Sequence, residues 1–105
     1  MFPGTTYLIR EATARDADSL LRLAVLDSQP RLHGRVLIGE MHGAPAAALS
    51  LADGRVVADP FLHTRELRAA LHLRARTVRA AEGGASLHER IRAGIRVDRP
   101  AGAAA

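Results

Sequence analysis

The chain has 105 residues, with fifteen basic residues that are all Arg, eleven acids, no Cys and a formal net charge of +4. The lack of Cys excludes disulfides and thiolate metal sites. No run approaches the roughly 20 apolar residues that cross a bilayer, and residues 1–7 lack a charged and then apolar leader, so a cytoplasmic protein is expected.

Aromatic residues make up only 3% of the chain, and much of its apolar content is Ala. One small domain with a thin core is therefore expected, which favours a homo-oligomer or a protein partner. Charge is uneven: residues 1–59 hold six Arg against seven acids, and residues 60–105 hold nine against four. The basic half suits a phosphate-bearing ligand or an acidic protein face. Interleaved acids and scarce aromatic residues argue against nucleic acid as the partner.

In chain order, Thr5 to Arg10 is β-branched and aromatic enough for a first strand. Thr13, followed three residues later by Asp16, is a capping-box signature. It opens a helix over Ala14 to Leu26, with Ala17, Leu20, Leu21, Ala24 and Val25 at helical spacing as the buried face. Asp27-Ser28-Gln29-Pro30 closes that helix, since Pro30 disfavours helical geometry before it. Arg35 to Met41 reads as a strand and His42-Gly43 as the turn after it. Ala46 to Leu51 is the next strand, with Ala47, Leu49 and Leu51 on one face and Ala46, Ala48 and Ser50 on the other. Pro45 belongs at its beginning, where a missing N–H is tolerated. Asp53-Gly54 is a turn and Val56 to Ala58 a third short strand, so these three strands form an antiparallel meander.

Asp59-Pro60 ends the last strand and feeds a basic amphipathic helix. Thr64 is its expected cap, Glu66 sits in the first turn, and Leu67, Ala70, Leu71, Ala75 and Val78 form the buried stripe. Arg65, Arg68, His72, Arg76 and Arg79 form the opposite face, solvated or docking an acidic partner. Gly83-Gly84 is expected to stop the helix near Ala80. Leu87 to Val97 fits either a strand or a short helix by periodicity, and the last residues read as a disordered end. The expected layout is α+β: strand, helix, three-strand antiparallel meander, helix. Residues 1–80 form the domain and residues 81–105 a Gly/Ala/Arg-rich, partly disordered tail.

This order resembles the N-terminal half of the Gcn5-related N-acetyltransferase (GNAT) fold. Ile9-Arg10-Glu11-Ala12-Thr13, Asp16-Ala17 and Leu20-Leu21 resemble its opening strand and helix. Val36 to Ala48 is similar to its second and third strands around a Gly turn, and Val56-Val57-Ala58-Asp59-Pro60 to its fourth strand and the Pro after it. The resemblance covers residues 6–80 and is closest to short, Arg-rich proteins of this type. It implies that the turn after the fourth strand, with the helix N-terminus, cradles the pyrophosphate of acetyl-CoA. The residues at that position are His63, Thr64, Arg65 and Arg68, the candidate cofactor-binding set.

The family's turn carries glycines that let the backbone approach the anion. Phe61 to Arg68 contains none, and Glu66 places a negative charge where phosphate oxygens would lie. The family's remaining strands and last helix have no room in the residues after Ala80. The expectation is therefore a truncated, GNAT-like half-fold without catalysis or an obligatory cofactor, acting by self-association or partner binding through the outer strand of the meander or the Arg face of the second helix. The alternatives are an acetyl-CoA-dependent N-acetyltransferase completed by a partner chain, and an Arg-mediated binder of nucleic acid or phosphate.

Other chemistry-bearing residues read as structural. His63 lies four residues after Asp59, within reach of an acid–base pair if the turn folds back, though a solvated turn histidine is the simpler reading. Asp59 is read as bonding nearby backbone N–H groups. His33, His42, His72 and His88 show no metal-ligand spacing. Ser28 and Ser50 lie outside any Gly-x-Ser-x-Gly elbow.

Overall fold

The computed structural model describes residues 6–97, with side chains through residue 83. Four strands, β1 (Tyr7–Glu11), β2 (Val36–Met41), β3 (Ala44–Ser50) and β4 (Val56–Ala58), form one sheet in the order β1-β2-β3-β4. Every neighbouring pair is antiparallel. A 3-10 turn (Ala14–Asp16) leads into α1 (Ala17–Leu26), and α2 spans Arg65–Val97. The α+β layout with its meander is the expected one. The chain divides into two units, residues through Ala75 and residues from Arg76 onward.

Local sequence explains most element boundaries. The Thr13 hydroxyl accepts from the Arg15 N–H while the Asp16 carboxylate accepts from the Thr13 N–H at 2.7 Å, completing the capping box. At the far end of α1, Ser28 adopts a positive φ of 53°. The Ser28 N–H donates to the Val25 carbonyl and the Gln29 N–H to the Ala24 carbonyl at 2.9 Å. This is a Schellman closure with Ser in the place glycine usually takes, so backbone geometry stops α1 at Leu26, four residues before Pro30. Between β2 and β3, His42 and Gly43 both have positive φ, 54° and 81°, as a two-residue I′ hairpin requires. Asp53 accepts from the Arg55 N–H at 2.9 Å and fixes the turn before β4.

Strand alternation sends side chains to two cores. On one face Leu37, Met41, Ala47, Leu49 and Ala58 pack with Leu67, Leu71 and Ala75 of α2, with Ile9, Leu51 and Val56 at the margin. On the other, Val36, Ile38, Ala48 and Val57 pack with Leu23 and Ala24 of α1. The small Ala48, fully buried, leaves room for α1 to lie close.

Three expectations are corrected. The buried face of α1 is Leu23 and Ala24 with Leu20 at its edge, whereas Leu21 is 43% and Val25 68% exposed. Leu20, Leu21, Leu23, Val25 and Leu26 surround this short helix almost completely, so spacing alone does not select a stripe. Ala46 sits in the core with Ala47 and not with Ala48. The register shifts from Gly39↔Ala47 to Glu40↔Pro45, which skips Ala46 as the extra residue of a bulge and breaks the alternation there. Finally, α2 continues through Gly83-Gly84 to Val97, so it does not end near Ala80, and Leu87 to Val97 is helical. A mid-helix glycine costs only about 1 kcal/mol relative to Ala. The end expected to be disordered, Arg99 to Ala105, lies outside the described residues.

Candidate functional site

Where β4 passes into α2, the chain turns at Asp59. Its Oδ1 accepts from the Phe61 N–H at 2.9 Å, and its main-chain carbonyl accepts from the Leu62 N–H at 3.3 Å. An Asx turn of this kind reverses the strand and aims the following residues at the start of the helix. The Arg68 N–H donates to the Thr64 carbonyl at 2.7 Å, the first helical bond. The amides of the opening turn have no helical acceptors, and the helix dipole adds positive potential there.

A cavity of about 340 Å³ opens at this junction, and His63, Thr64, Arg65 and Arg68 all line it. The structure thus brings together the four residues singled out in the sequence. Thr64 is only 6% exposed. Among the described residues nothing hydrogen-bonds its hydroxyl, so Thr64 starts the helix with its carbonyl and not with the side-chain cap expected of it. A buried hydroxyl without a partner is uncommon and costs about 1–3 kcal/mol. The guanidinium groups of Arg65 and Arg68 likewise make no ion pair among the described residues, and both are exposed.

The acids at this cavity are not the one expected. Glu66 is exposed and does not line it; Asp27 and Asp59 do. The sequence hid Asp27, which sits at the far end of α1 and reaches the junction only because α1 packs across β3 and β4. Both carboxylates already have work. Asp27 accepts from the Ala58 N–H at 3.1 Å, and Asp59, 7% exposed, also receives the Arg22 guanidinium at 3.4 Å. His63 lines the cavity with Asp59 but makes no hydrogen bond to it among the described residues, so the acid–base pair does not form in this structure.

The bond from Asp27 also alters the expected docking edge. β4 has three residues, and its outward Ala58 N–H is taken by the Asp27 carboxylate. The outer strand of the meander is therefore blunted where it was expected to be unprotected. Arg65, Arg68, His72, Arg76 and Arg79 are each exposed, as expected of a solvated or docking face.

A second charged group lies on the α1 side of the sheet. Arg10 forms a bidentate pair with Asp16, at 2.8 Å for both bonds, and also bonds Glu40 at 3.1 Å. The Arg10 hydrogen bonds and the Thr13 N–H hold the Asp16 carboxyl well below the usual carboxylate range. This cluster ties β1, β2 and the start of α1 together.

No group of three or more metal-ligating side chains occurs among the described residues, and no helix among them is long and apolar enough to cross a membrane. Ser50, at the end of β3, donates to the His33 carbonyl at 2.9 Å and accepts from the Ala52 N–H, a strand-end role. Compared with protein-family models, curated proteins and solved structures, the chain matches none of them.

Proposed function

We propose that this chain is an acetyltransferase-like module that works by binding: it holds a phosphate-bearing ligand at the β4–α2 junction and carries out no group transfer of its own. The observation that carries this reading is the buried, unpartnered Thr64 hydroxyl in a cavity that also receives Arg65 and Arg68. A ligand phosphate would complete all three, and the free amides of the α2 N-terminus add to the attraction. Asp27 and Asp59 do not oppose it fully, because backbone N–H groups and Arg22 already take up part of their charge. The resemblance to the GNAT fold makes coenzyme A and acetyl-CoA the ligands to try first.

Thermal unfolding with inorganic pyrophosphate, coenzyme A and acetyl-CoA tests the reading. A ligand present at about 100 times its Kd stabilises the fold by about 2.7 kcal/mol, so a clear rise in Tm is expected with coenzyme A and a smaller one with pyrophosphate. Unchanged Tm at millimolar concentrations of all three would overturn the binding claim. Release of coenzyme A from acetyl-CoA in the presence of an amine acceptor would overturn the non-catalytic part and favour the acetyltransferase alternative.

A further inference from the structure

We infer that two copies of this chain join edge to edge through β1, about a twofold axis at Ile9, making the two four-stranded sheets continuous. β1 ends the strand order, so among the described residues one of its edges has no strand beside it. The Ala12 N–H donates to the Val36 carbonyl at 2.8 Å, which fixes the direction of the β1 backbone groups. In an antiparallel ladder alternate residues bond the neighbour, so Leu8, Arg10 and Ala12 turn their N–H and C=O groups toward β2. Tyr7, Ile9 and Glu11 turn theirs outward. These outward residues are spaced evenly about Ile9, as antiparallel self-pairing requires. Ile9 pairs with Ile9 of the second copy and Tyr7 with its Glu11, each pair exchanging both hydrogen bonds.

The side chains suit the same register. No like charges face each other across the axis: Arg10 lies opposite Leu8 of the second copy, and Glu11 opposite its Tyr7. Both charged residues of the edge are already neutralised within their own chain, Arg10 by Asp16 and Glu40, and Glu11 by Arg35 at 2.8 Å. Charge on an edge strand ordinarily deters pairing; here it is spent internally. Leu8 and Tyr7 are 58% and 40% exposed and lie on opposite faces of the strand, so pairing covers apolar surface on both faces.

The other sheet edge decides between a closed dimer and an open chain of copies. Because Asp27 takes the outward Ala58 amide of β4, β1 of one copy has no matching edge on β4 of the next. With the three-residue β4 edge short and one of its outward amides taken, the twofold β1–β1 arrangement is the better matched, and it closes. The β1–β1 pairing uses no residue of the β4–α2 cavity, and the closure argument uses only the Asp27–Ala58 bond there and no bound ligand, so failure of the ligand test leaves it standing, and the reverse also holds.

Size-exclusion chromatography with light scattering on the full chain, at micromolar to millimolar concentrations, is expected to give twice the chain mass. Two variants separate this edge from others. Ile9→Pro removes an outward N–H and leaves the β2 ladder intact. Leu8→Ser changes only an exposed side chain and removes, in both copies, apolar surface that the pairing would cover. Each should raise the dimer dissociation constant roughly tenfold or more, with the Leu8→Ser circular dichroism spectrum unchanged. Hydrogen exchange supplies a readout independent of variants: the Tyr7, Ile9 and Glu11 amides should gain protection as concentration rises, while Leu8 and Arg10 are protected throughout. A monomer at millimolar concentration, a dimer indifferent to Leu8→Ser, or outward amides that exchange equally at all concentrations would each overturn the inference.

Discussion

Gly39 of β2 lies directly beneath Leu67 of α2: a Cβ built on Gly39 would stand 2.5 Å from Leu67 Cδ1 and 2.8 Å from Leu67 Cγ. The missing side chain is what lets the helix sit this close to the sheet. Because Cγ as well as a terminal methyl is in the way, a rotamer change alone does not make room. Gly39→Ala should therefore destabilise by about 1–3 kcal/mol, the usual range for overpacking a core. In the background of Leu67→Ala the same change should cost far less, a coupling that a double-mutant cycle in urea would measure.

The exposure difference along α1 gives a direct test of which face it buries. Leu23→Ala should cost about 2–5 kcal/mol, as truncation of a fully buried Leu does. Val25→Ala, at 68% exposure, should stay within about 0.5 kcal/mol of the parent. Chemical denaturation of the two variants checks this, and equal costs would contradict the α1 packing described above.

Asp16 makes stability depend on pH in the acid range. Its folded carboxyl is held below the ordinary range, chiefly by Arg10 and next by the Thr13 N–H, so as pH falls the unfolded chain takes up this proton first. The stabilisation is complete above the unfolded value of about 3.9 and declines as pH drops below it toward the folded value. Asp16→Asn should cost about 1.5–3 kcal/mol at neutral pH, toward the lower end because Arg10 is partly open to solvent. The Tm gap between parent and variant should narrow steadily below about pH 4. A gap that is constant down to the acid transition would rule out the ionised pair as its source.

Asp27 links the end of α1 to the edge of β4 through the Ala58 amide. Asp27→Ala should destabilise by about 1–3 kcal/mol, since it leaves a mostly buried donor without its acceptor. It should also speed hydrogen exchange at Ala58 more than at Val57, whose N–H faces β3. Exchange measured by NMR on both amides distinguishes this local effect from general loosening.

Thr64 and Arg68 should respond in a way that a purely structural pair does not. Thr64→Val removes an unsatisfied buried hydroxyl and should raise the Tm of the ligand-free protein, while weakening coenzyme A binding. Arg68→Ala should leave the ligand-free Tm nearly unchanged and raise the Kd about tenfold or more, the worth of a charge-assisted bond. Opposite signs for stability and binding at Thr64 mark a residue kept for a ligand; a lower ligand-free Tm for Thr64→Val would assign it a packing role.

The sequence by itself determined the parts of this protein that depend on near neighbours. The Thr13–Asp16 box, the His42-Gly43 and Asp53-Gly54 turns, β4 at Val56–Ala58 and the Leu67/Leu71/Ala75 stripe each follow from residues within one or two turns of chain. The candidate set His63, Thr64, Arg65 and Arg68 comes from the resemblance and not from local pattern; it is one short segment at a helix start, and as near neighbours its members line one cavity. What only the tertiary structure decided are relations between distant residues. It chose Leu23 as the α1 anchor, because a helix apolar on most sides takes its rotation from what it packs against. It moved Ala46 to the other core through a bulge that no local pattern marks. It brought Asp27 across to β4, capping one outward amide of that edge and adding an acid to the cavity, and among the described residues it left β1 without an outer neighbour. Local propensity and spacing act over a few residues, whereas facing, register and edge exposure are set when the whole sheet assembles.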